Sequence, residues 1–522
     1  MADDSAHAIR NQVLNGAVRG CRSRAIGRGD RSVERFSGSG FFGKRWPHNG
    51  GIPINPLSSA VRSPPTAIAA GSLDIRTLER SRNLMERAMP PKRTLSLRAN
   101  FCWTFAGNAV NAVCQWGLLV VLVHLGSPTA VGKFVLGLAI AAPIMAISML
   151  QLRNLLVTDA RGEYAFADYF GTRVTWTLLG LGAICACAWL SEFDATTTLV
   201  VMLIGAAKCA DSVSDIVRGL FQRVERMDYS GMSLMIRGPA ALISVGFTMW
   251  WTGSLVWAVA VLAGTWVATF ILYDLVVAAR LLRANVRSEV GTRLRPRFDR
   301  ATLLRLSWIA LPLGVVMGVI SLQTNIPRYF VQGYAGEEAL GYFGALVYPM
   351  IAATMVANAM GQSASPRLAV HFVKDPTAYR RLLIRLGSIA AVIGLAFIGA
   401  TLVFGQAILT LLYDAGYAEY QRSFVILAAA TAIQLVASCA GYGLTAARHI
   451  RIQVLLVSVS CLATLAAALV FVPRSGVRGG AIAVLVTSSV MLVLFVGATW
   501  WAFHRRMTAD EPFLDTDPSA PS

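Results

Sequence analysis

Charged residues are scarce in this chain, making up 14% of its 522 residues against 55% hydrophobic ones. Histidine is scarcer still, with six residues, and the eight cysteines show no paired Cys/His spacing of the kind that binds zinc. Seven of these cysteines lie in apolar stretches, as small apolar residues do in a packed interior. The sequence therefore predicts neither a disulfide framework nor a metal site.

Motifs for catalysis and nucleotide binding are also missing. There is no HExxH, GxSxG or Walker sequence. The stretch GSPTAVGK at 126–133 is followed by Phe134, where a phosphate-binding loop needs Ser or Thr. Because no gap between apolar segments is long enough for a catalytic domain, we expect a protein that is not an enzyme and needs no cofactor.

Long apolar segments dominate from residue 100 onward. A bilayer core of roughly 30 Å is crossed by about 20 helical residues, and about twelve segments of that order follow one another. They lie at 100–124, 131–151, 174–191, 197–218, 233–251, 253–279, 304–326, 339–360, 382–403, 421–446, 452–472 and 478–503. This pattern predicts an all-α polytopic membrane protein with about twelve transmembrane helices.

Basic residues are concentrated in every second gap between these segments. The richest gap carries seven arginines between residues 280 and 300. Basic loops stay in the cytoplasm, so we expect a bacterial inner-membrane protein with both termini cytoplasmic. The net charge of +19 is then explained by membrane orientation and attraction to anionic lipid rather than by nucleic acid.

The composition divides the chain into five parts. Residues 1–98 hold 17 Lys/Arg and 7 Asp/Glu and predict a mostly disordered cytoplasmic extension with one short helix from Ser72 to Pro90. Two interpretations stay open for it: a regulatory or lipid-binding tail, or a start codon assigned upstream of Met89. The remaining parts are a first lobe, a basic linker, a second lobe and a short acidic tail, at 99–280, 281–303, 304–506 and 507–522.

A short internal repeat supports two equivalent lobes. Residues 126–134 read GSPTAVGKF and residues 336–343 read GEEALGYF, each between two apolar segments. Six segments per lobe is an even number, so both lobes insert the same way round, as parallel repeats. The prediction is two parallel six-helix lobes around a central cavity.

Four charged residues form a row within the fourth segment. Lys208, Asp211, Asp215 and Arg218 are spaced three, four and three residues apart and therefore share one helix face. A charge at the helix centre costs about 2.5–3.5 kcal/mol on insertion scales, so this face should avoid lipid. Either the row lines a hydrated cavity, or Lys208–Asp211 and Asp215–Arg218 are ion pairs that lock helices together.

Further polar residues accompany the other segments. Asn108, Asn111 and Gln115 share one face of the first segment, above Asn100 and Thr104, where they either join helices or line a cavity. Arg328 stands at the outer end of segment seven. Four arginines lie at predicted cytoplasmic helix ends: Arg153, Arg173, Arg237 and Arg367. We expect them to anchor the helices at the membrane surface, and phosphate binding is the alternative.

Several stretches, in this order, resemble the Wzx-like polysaccharide flippases of the MATE/MOP exporter superfamily. The resemblance covers about residues 95–503 and rests on six stretches. They are SLRANFCWTFAGNAVN, LGSPTAVGKF, QLRNLLVTDARGEYAFADYFGTR, PRYF at 327–330, YAGEEALGYFGALVY and LLYDAGYAEY. The long N-terminal extension departs from the family pattern.

This resemblance implies a flippase that moves undecaprenyl-pyrophosphate-linked oligosaccharide from the cytoplasmic to the periplasmic leaflet. It makes Lys208, Arg218 and Arg328 candidate contacts of the anionic headgroup, Asp211 and Asp215 candidate ion-coupling groups, and the Asn108, Asn111 and Gln115 row a candidate sugar-binding wall. A polysaccharide polymerase and glycosyltransferases are the implied partners, beside membrane lipid. A small-molecule antiporter, a lipid II flippase and a non-transporting membrane scaffold stay open as alternatives.

Overall fold

The computed structural model of the chain describes residues 95–159, 162–284 and 294–509, and all regular secondary structure in these ranges is helical. The predicted all-α class is confirmed. The helices of the first half are α1 (Leu97–Leu125), α2 (Pro128–Ser148), α3 (Leu152–Thr158), α4 (Phe166–Leu190), α5 (Ala195–Arg223), α6 (Met227–Thr252), α7 (Leu255–Thr269) and α8 (Val276–Ala284), with a π-helical segment, Phe270–Leu275, between the last two. Those of the second half are α9 (Arg300–Lys374), α10 (Pro376–Leu412), α11 (Ala415–Ala418), α12 (Gln421–Ala446) and α13 (Ile450–Ala509).

Some predictions lie outside the described residues. These are the helix from Ser72 to Pro90, nearly all of the N-terminal extension, much of the basic linker and most of the acidic tail. The described residues all belong to one compact unit, Pro90–Ser522.

Two glycines break the longest helices. Gly336 in α9 and Gly476 in α13 have φ angles of 86° and 50°, a region that glycine enters without steric penalty. Each long run is therefore two helices joined at a glycine. The helix that contains segment seven continues beyond the predicted segment end near residue 326 as far as Gly336, so Arg328 lies within this helix.

Nine of the described helices are long and apolar enough to cross a membrane, counting α9 and α13 once each. All twelve predicted apolar segments lie in helices, although α5, which carries the charged row, is not among the nine. Many large apolar side chains face outward; Trp189 and Leu411 are 78% and 82% exposed. Surfaces of this kind suit lipid rather than water. The fold is that of a multi-pass membrane protein, while the number of twelve crossings remains a prediction.

The repeated sequence stretches pack against each other where α2 meets α9. A Cβ atom on Gly132 would lie 1.8 Å from the backbone oxygen of Glu337, and one on Gly341 would lie 2.0 Å from that of Pro128. Pro128 and Glu337 are 209 residues apart in the sequence, and so are Gly132 and Gly341, so each glycine packs against the residue equivalent to the other glycine's contact and the contact is reciprocal. Only glycine permits so close an approach of two helix backbones. This reciprocity is what two equivalent lobes packed about an axis would produce.

Candidate functional site

The charged row on α5 faces the helix bundle. Arg218 is 5% exposed, and Lys208, Asp211 and Asp215 are only partly accessible. This burial agrees with the expectation that the charged face avoids lipid. Each charge in such surroundings needs a partner, because an isolated buried charge is strongly destabilising.

Asp211 is held by two arginines from different helices. Its Oδ1 atom accepts a hydrogen bond of 3.0 Å from Nη2 of Arg218, two turns further along α5, and a shorter one from Nη1 of Arg237 on α6. The predicted ion pair between Lys208 and Asp211 is therefore not formed. Lys208 makes no ion pair with a described residue, and its Nζ instead lies 5.3 Å from the ring centroid of Trp266 on α7.

Asp215 joins three arginines. Its Oδ1 atom lies 3.0 Å from Nη1 of Arg153 on α3 and 3.9 Å from Nη2 of Arg218, while Oδ2 lies 3.3 Å from Nη2 of Arg173 on α4. The predicted Asp215–Arg218 pair is thus present, but it is the longest of the three. Arg173 is fully buried, and Arg153 also donates hydrogen bonds to Oε1 of Gln222.

The complete cluster, which we call the α5 charge cluster, has more cations than acids. Its basic members are Arg153, Arg173, Lys208, Arg218 and Arg237, and its acidic members are Asp211, Asp215 and Asp274. Asp274, fully buried in the π-helical segment, accepts a 2.7 Å hydrogen bond from Ser214 on α5. The excess is two positive charges, on residues drawn from α3, α4, α5, α6 and the π-helical segment.

Several guanidinium nitrogens in this cluster have no hydrogen-bond acceptor among the described residues. They are Nε of Arg173, Nη1 of Arg218 and Nε of Arg237, all buried. A buried donor without a partner loses its hydration without compensation. Together with the excess positive charge, these donors make the cluster suited to an additional anionic acceptor.

Three of these arginines, Arg153, Arg173 and Arg237, are the ones for which the sequence favoured topological anchoring. They instead enter the cluster, because α3, α4 and α6 pack on the charged face of α5. Asp274 was not among the candidate site residues predicted from the sequence, although an aspartate inside an otherwise apolar segment indicates a functional or buried polar site. Arg367 is exposed near the end of α9, as an anchoring residue would be.

Some amide side chains of α1 bond to other helices, and others are accessible to a ligand. Asn111 accepts a 3.5 Å hydrogen bond from Nη2 of Arg237 and so extends the α5 charge cluster. Asn108 is exposed and donates to the backbone oxygen of Thr104, and Gln115 is partly exposed. Asn100 holds the turn between α5 and α6, since its amide contacts the backbone of Glu225 and Met227.

Arg328 lies apart from the α5 charge cluster, in a second-half cavity of about 330 Å³. It makes no ion pair with any residue that the structure describes; Nη1 donates to Asn325 at 2.5 Å and Nε has no partner there. The polar lining is otherwise uncharged: Gln323, Thr324, Thr354, Thr431, Gln434, Thr464, Thr487 and Ser488. A cavity whose described lining has one cation, no acid and many hydroxyl and amide groups can accept an anion or a polar ligand.

A separate group of charged residues links the two halves of the chain beside the Gly132–Gly341 packing. Nζ of Lys133 lies 2.8 Å from Asp194 and 3.6 Å from Glu337, and Thr197 donates a 2.7 Å hydrogen bond to Glu337. Burial raises the pKa of Asp194, but hydrogen bonds from Lys133 and Thr197 outweigh it and lower that pKa to about 2. We call these four residues the interlobe latch.

The fold is similar to that of solved MATE and MurJ structures. An inward-facing multidrug resistance MATE transporter is 11% identical and has a TM-score of 0.63, over 78% of this chain and 98% of that one. The lipid II flippase MurJ in an inward closed conformation is 9% identical, with a TM-score of 0.59 over 78% of this chain and 91% of MurJ. At these identities the likeness concerns the fold.

The family is given by the sequence match. The chain belongs to the family described as polysaccharide biosynthesis protein, which matches residues 97–371. It is also 23% identical over 412 residues to the capsular polysaccharide biosynthesis protein CapF of Staphylococcus aureus, covering 78% of this chain and 99% of that relative. The resemblance to polysaccharide flippases of the MATE/MOP superfamily that the sequence predicted is confirmed.

Proposed function

We propose that this protein is an inner-membrane flippase that moves an undecaprenyl-pyrophosphate-linked oligosaccharide from the cytoplasmic to the periplasmic leaflet by alternating access. The observation that carries the proposal is the α5 charge cluster, with its two excess positive charges and unpartnered guanidinium donors inside a transporter fold. A pyrophosphate is a multiply charged acceptor that arginines bind through paired hydrogen bonds. Membership of the polysaccharide biosynthesis family supports the saccharide part of the cargo.

The headgroup contacts in this proposal are Lys208, Arg218 and Arg328. Lys208 is the most available cation of the α5 charge cluster, because no carboxylate of a described residue lies within ion-pair distance of it. Arg218 offers Nη1, and Arg328 offers Nε. Since Arg328 lies in a separate cavity, it would bind the anion at a different step of the transport cycle, or bind the saccharide through its uncharged neighbours.

Asp211 and Asp215 are the proposed coupling groups. Both are engaged by arginines in this conformation, so either carboxylate would exchange an arginine for a cation or a proton as the helices move. Such an exchange ties the ion to the arrangement of α3, α4 and α6 around α5. Asn108, Asn111 and Gln115 would offer hydrogen bonds to the sugar; the amide of Asn111 is adjacent to the cluster through Arg237.

Alternating access requires that one side of the lobes stays closed while the other opens. The interlobe latch and the Gly132–Gly341 contact are suited to closing one side, because they combine close backbone packing with an ion pair between halves. We assign this side to the periplasm and both termini to the cytoplasm because basic loops stay in the cytoplasm. A polymerase and glycosyltransferases would be its partners in the pathway.

The test is transport by purified protein in vesicles loaded with a fluorescent polyprenyl-pyrophosphate oligosaccharide in one leaflet. Arg328→Gln should slow the appearance of the lipid in the other leaflet by at least about tenfold, because a charge-assisted hydrogen bond contributes about 1.5–3 kcal/mol. Arg367→Gln is the matched control, since Arg367 is exposed near a helix end. Equal rates for the two variants, or no movement by the unmodified protein, would overturn the proposal.

The same vesicles separate the alternative functions. Movement of lipid II in place of the oligosaccharide lipid would indicate a lipid II flippase, and ion-driven efflux of small cations would indicate an antiporter. A scaffold would move none of them, and Lys208→Ala would then leave polysaccharide assembly in cells unchanged. All three outcomes contradict the proposal.

A further inference from the structure

An apolar groove lies on the second half of the protein between α10, α12 and α13, with a volume of about 330 Å³. We call it the α10–α12–α13 groove. Its apolar wall consists of Leu383, Ile384, Gly387, Val436, Cys439, Ala440, Val496, Trp500 and Phe503. None of the residues of the α5 charge cluster or of the Arg328 cavity lines it.

The groove opens toward the surroundings of the bundle. Ile384 and Trp500 line it and are 60% and 62% exposed, so no described part of the chain covers them. In a membrane-spanning helix pair these surfaces meet lipid. The volume is within the range of sites for small ligands, about 300–1,000 Å³.

Three polar residues line this otherwise apolar groove, and the hydroxyl of one of them, Thr499, already donates to backbone oxygens of Ala440 and Phe495. Tyr379 is 1% exposed, and its hydroxyl has no hydrogen-bond partner among the described residues. Arg380, the next residue, is exposed and also lines the groove. A buried hydroxyl without a partner costs free energy, so a ligand with an acceptor oxygen near Tyr379 would recover that loss.

The charge near this end of the groove favours an anionic ligand. Arg380 and Arg381 are in the second turn of α10, Arg385 follows one turn later, and all three are exposed. Each basic residue near an anionic lipid surface contributes about 1 kcal/mol of attraction. A free phosphate ion would match the arginines but would leave the apolar wall unused.

We propose that the α10–α12–α13 groove binds one anionic glycerophospholipid of the surrounding bilayer. One acyl chain lies along the apolar wall, the phosphate contacts Arg380, and the hydroxyl of Tyr379 donates to an ester or glycerol oxygen. The bound lipid lies against α10, α12 and α13, and it is distinct from the transported cargo.

Two glycines of α10 allow a matched steric test. A Cβ atom on Gly387 meets nothing within 4 Å, and the same is true of Gly399 on the same helix. Gly387 lines the groove and Gly399 does not. Gly387→Phe should therefore place a large side chain in the groove, while Gly399→Phe adds the same side chain elsewhere on α10.

The assay is native mass spectrometry of the purified full chain in detergent, titrated with phosphatidylglycerol, with neutral phosphatidylethanolamine and with a polyprenyl phosphate. Phosphatidylglycerol should bind to the unmodified protein and to Gly399→Phe, and should lose its tightest site in Gly387→Phe. Arg380→Gln should weaken that site about tenfold, as expected for a lost charge-assisted hydrogen bond. Tyr379→Phe should weaken it by a smaller factor.

Three results would overturn the proposal. Equal phosphatidylglycerol binding by the two phenylalanine variants would mean that the site is elsewhere. Equal binding of phosphatidylethanolamine and phosphatidylglycerol would remove the role of Arg380, and preferential binding of the polyprenyl phosphate would assign the groove to that lipid class instead. Thermal unfolding of each variant without lipid checks folding; a variant that fails to fold is replaced by Gly387→Leu with Gly399→Leu as its control.

Discussion

Removing the Asp215 carboxylate should lower the free energy of unfolding substantially. In Asp215→Ala, Arg173 loses its carboxylate while it remains fully buried, and Arg153 loses one of its partners. Loss of one member of a buried ion pair costs about 3–5 kcal/mol, because the remaining charge stays desolvated without compensation. For Arg153, which keeps Gln222 and is more accessible, the cost should be smaller.

Variants of the arginines that pair with Asp215 measure how much each pair contributes to stability. If the cost arises from the stranded Arg173 charge, then Arg173→Met combined with Asp215→Leu should recover most of the loss, since an apolar replacement of a buried pair is often neutral. A double-mutant cycle on Arg173 and Asp215 should give a coupling free energy larger than the cycle on Arg153 and Asp215.

The measurement is the free energy of unfolding, or the thermal midpoint, of each variant in the same detergent. Arg367→Met serves as the control for removal of an exposed charge. A loss of less than about 0.5 kcal/mol in Asp215→Ala, a typical value for surface substitutions, would refute the burial argument. So would a double variant that is as unstable as the sum of its two single changes.

Three further predictions concern other contacts. Lys208→Met should lose only about 0.5–2 kcal/mol of unfolding free energy, the range of a cation–π contact with Trp266, yet slow transport if Lys208 binds the headgroup; a loss as large as in Asp215→Ala would contradict this. Gly132→Ala should sharply lower the yield of folded protein, whereas Gly264→Ala, where a Cβ meets nothing within 4 Å, should not; similar yields would disprove the close packing. The folded-state pKa of Asp194 is lowered, so its carboxylate stabilises the protein at neutral pH and this contribution is lost as pH falls. The difference in melting temperature between the unmodified protein and Asp194→Asn should therefore be largest above about pH 5 and vanish toward pH 2. A difference that does not change with pH would contradict this.

The sequence correctly predicted which residues share a helix face, because these residues are close together along the chain. Lys208, Asp211, Asp215 and Arg218 share a face because the helical period is a property of the backbone. Their partners are not local: Arg237 reaches Asp211 from α6, and Arg173 reaches Asp215 from α4. The Lys208–Asp211 pair, one of the two alternatives that the sequence left open, is absent because Arg218 and Arg237 contact the Asp211 carboxylate instead.

Arg328 illustrates the other kind of difference. Its position in the chain indicated a gap between apolar segments, and helix propensity gave no reason to extend segment seven through Pro327. In the structure the helix continues to Gly336, and the packing of α9 against α12 and α13 puts Arg328 in a polar cavity. A proline inside a membrane helix is tolerated when neighbouring groups satisfy the freed backbone, and this depends on tertiary context.

The sequence by itself determined the all-α class, the order of the membrane helices, the charged face of α5 and the family, because hydropathy, helical period and motif order are all encoded locally along the chain. The tertiary structure alone decided which charges meet, that Lys208 rests on Trp266 without a carboxylate, and that Tyr379 stands without a partner in a groove. Ion pairs and cavities arise between helices that are far apart in sequence, and their geometry follows from packing. Eight charged residues of this largely apolar chain are therefore gathered from five helical elements into one cluster around α5.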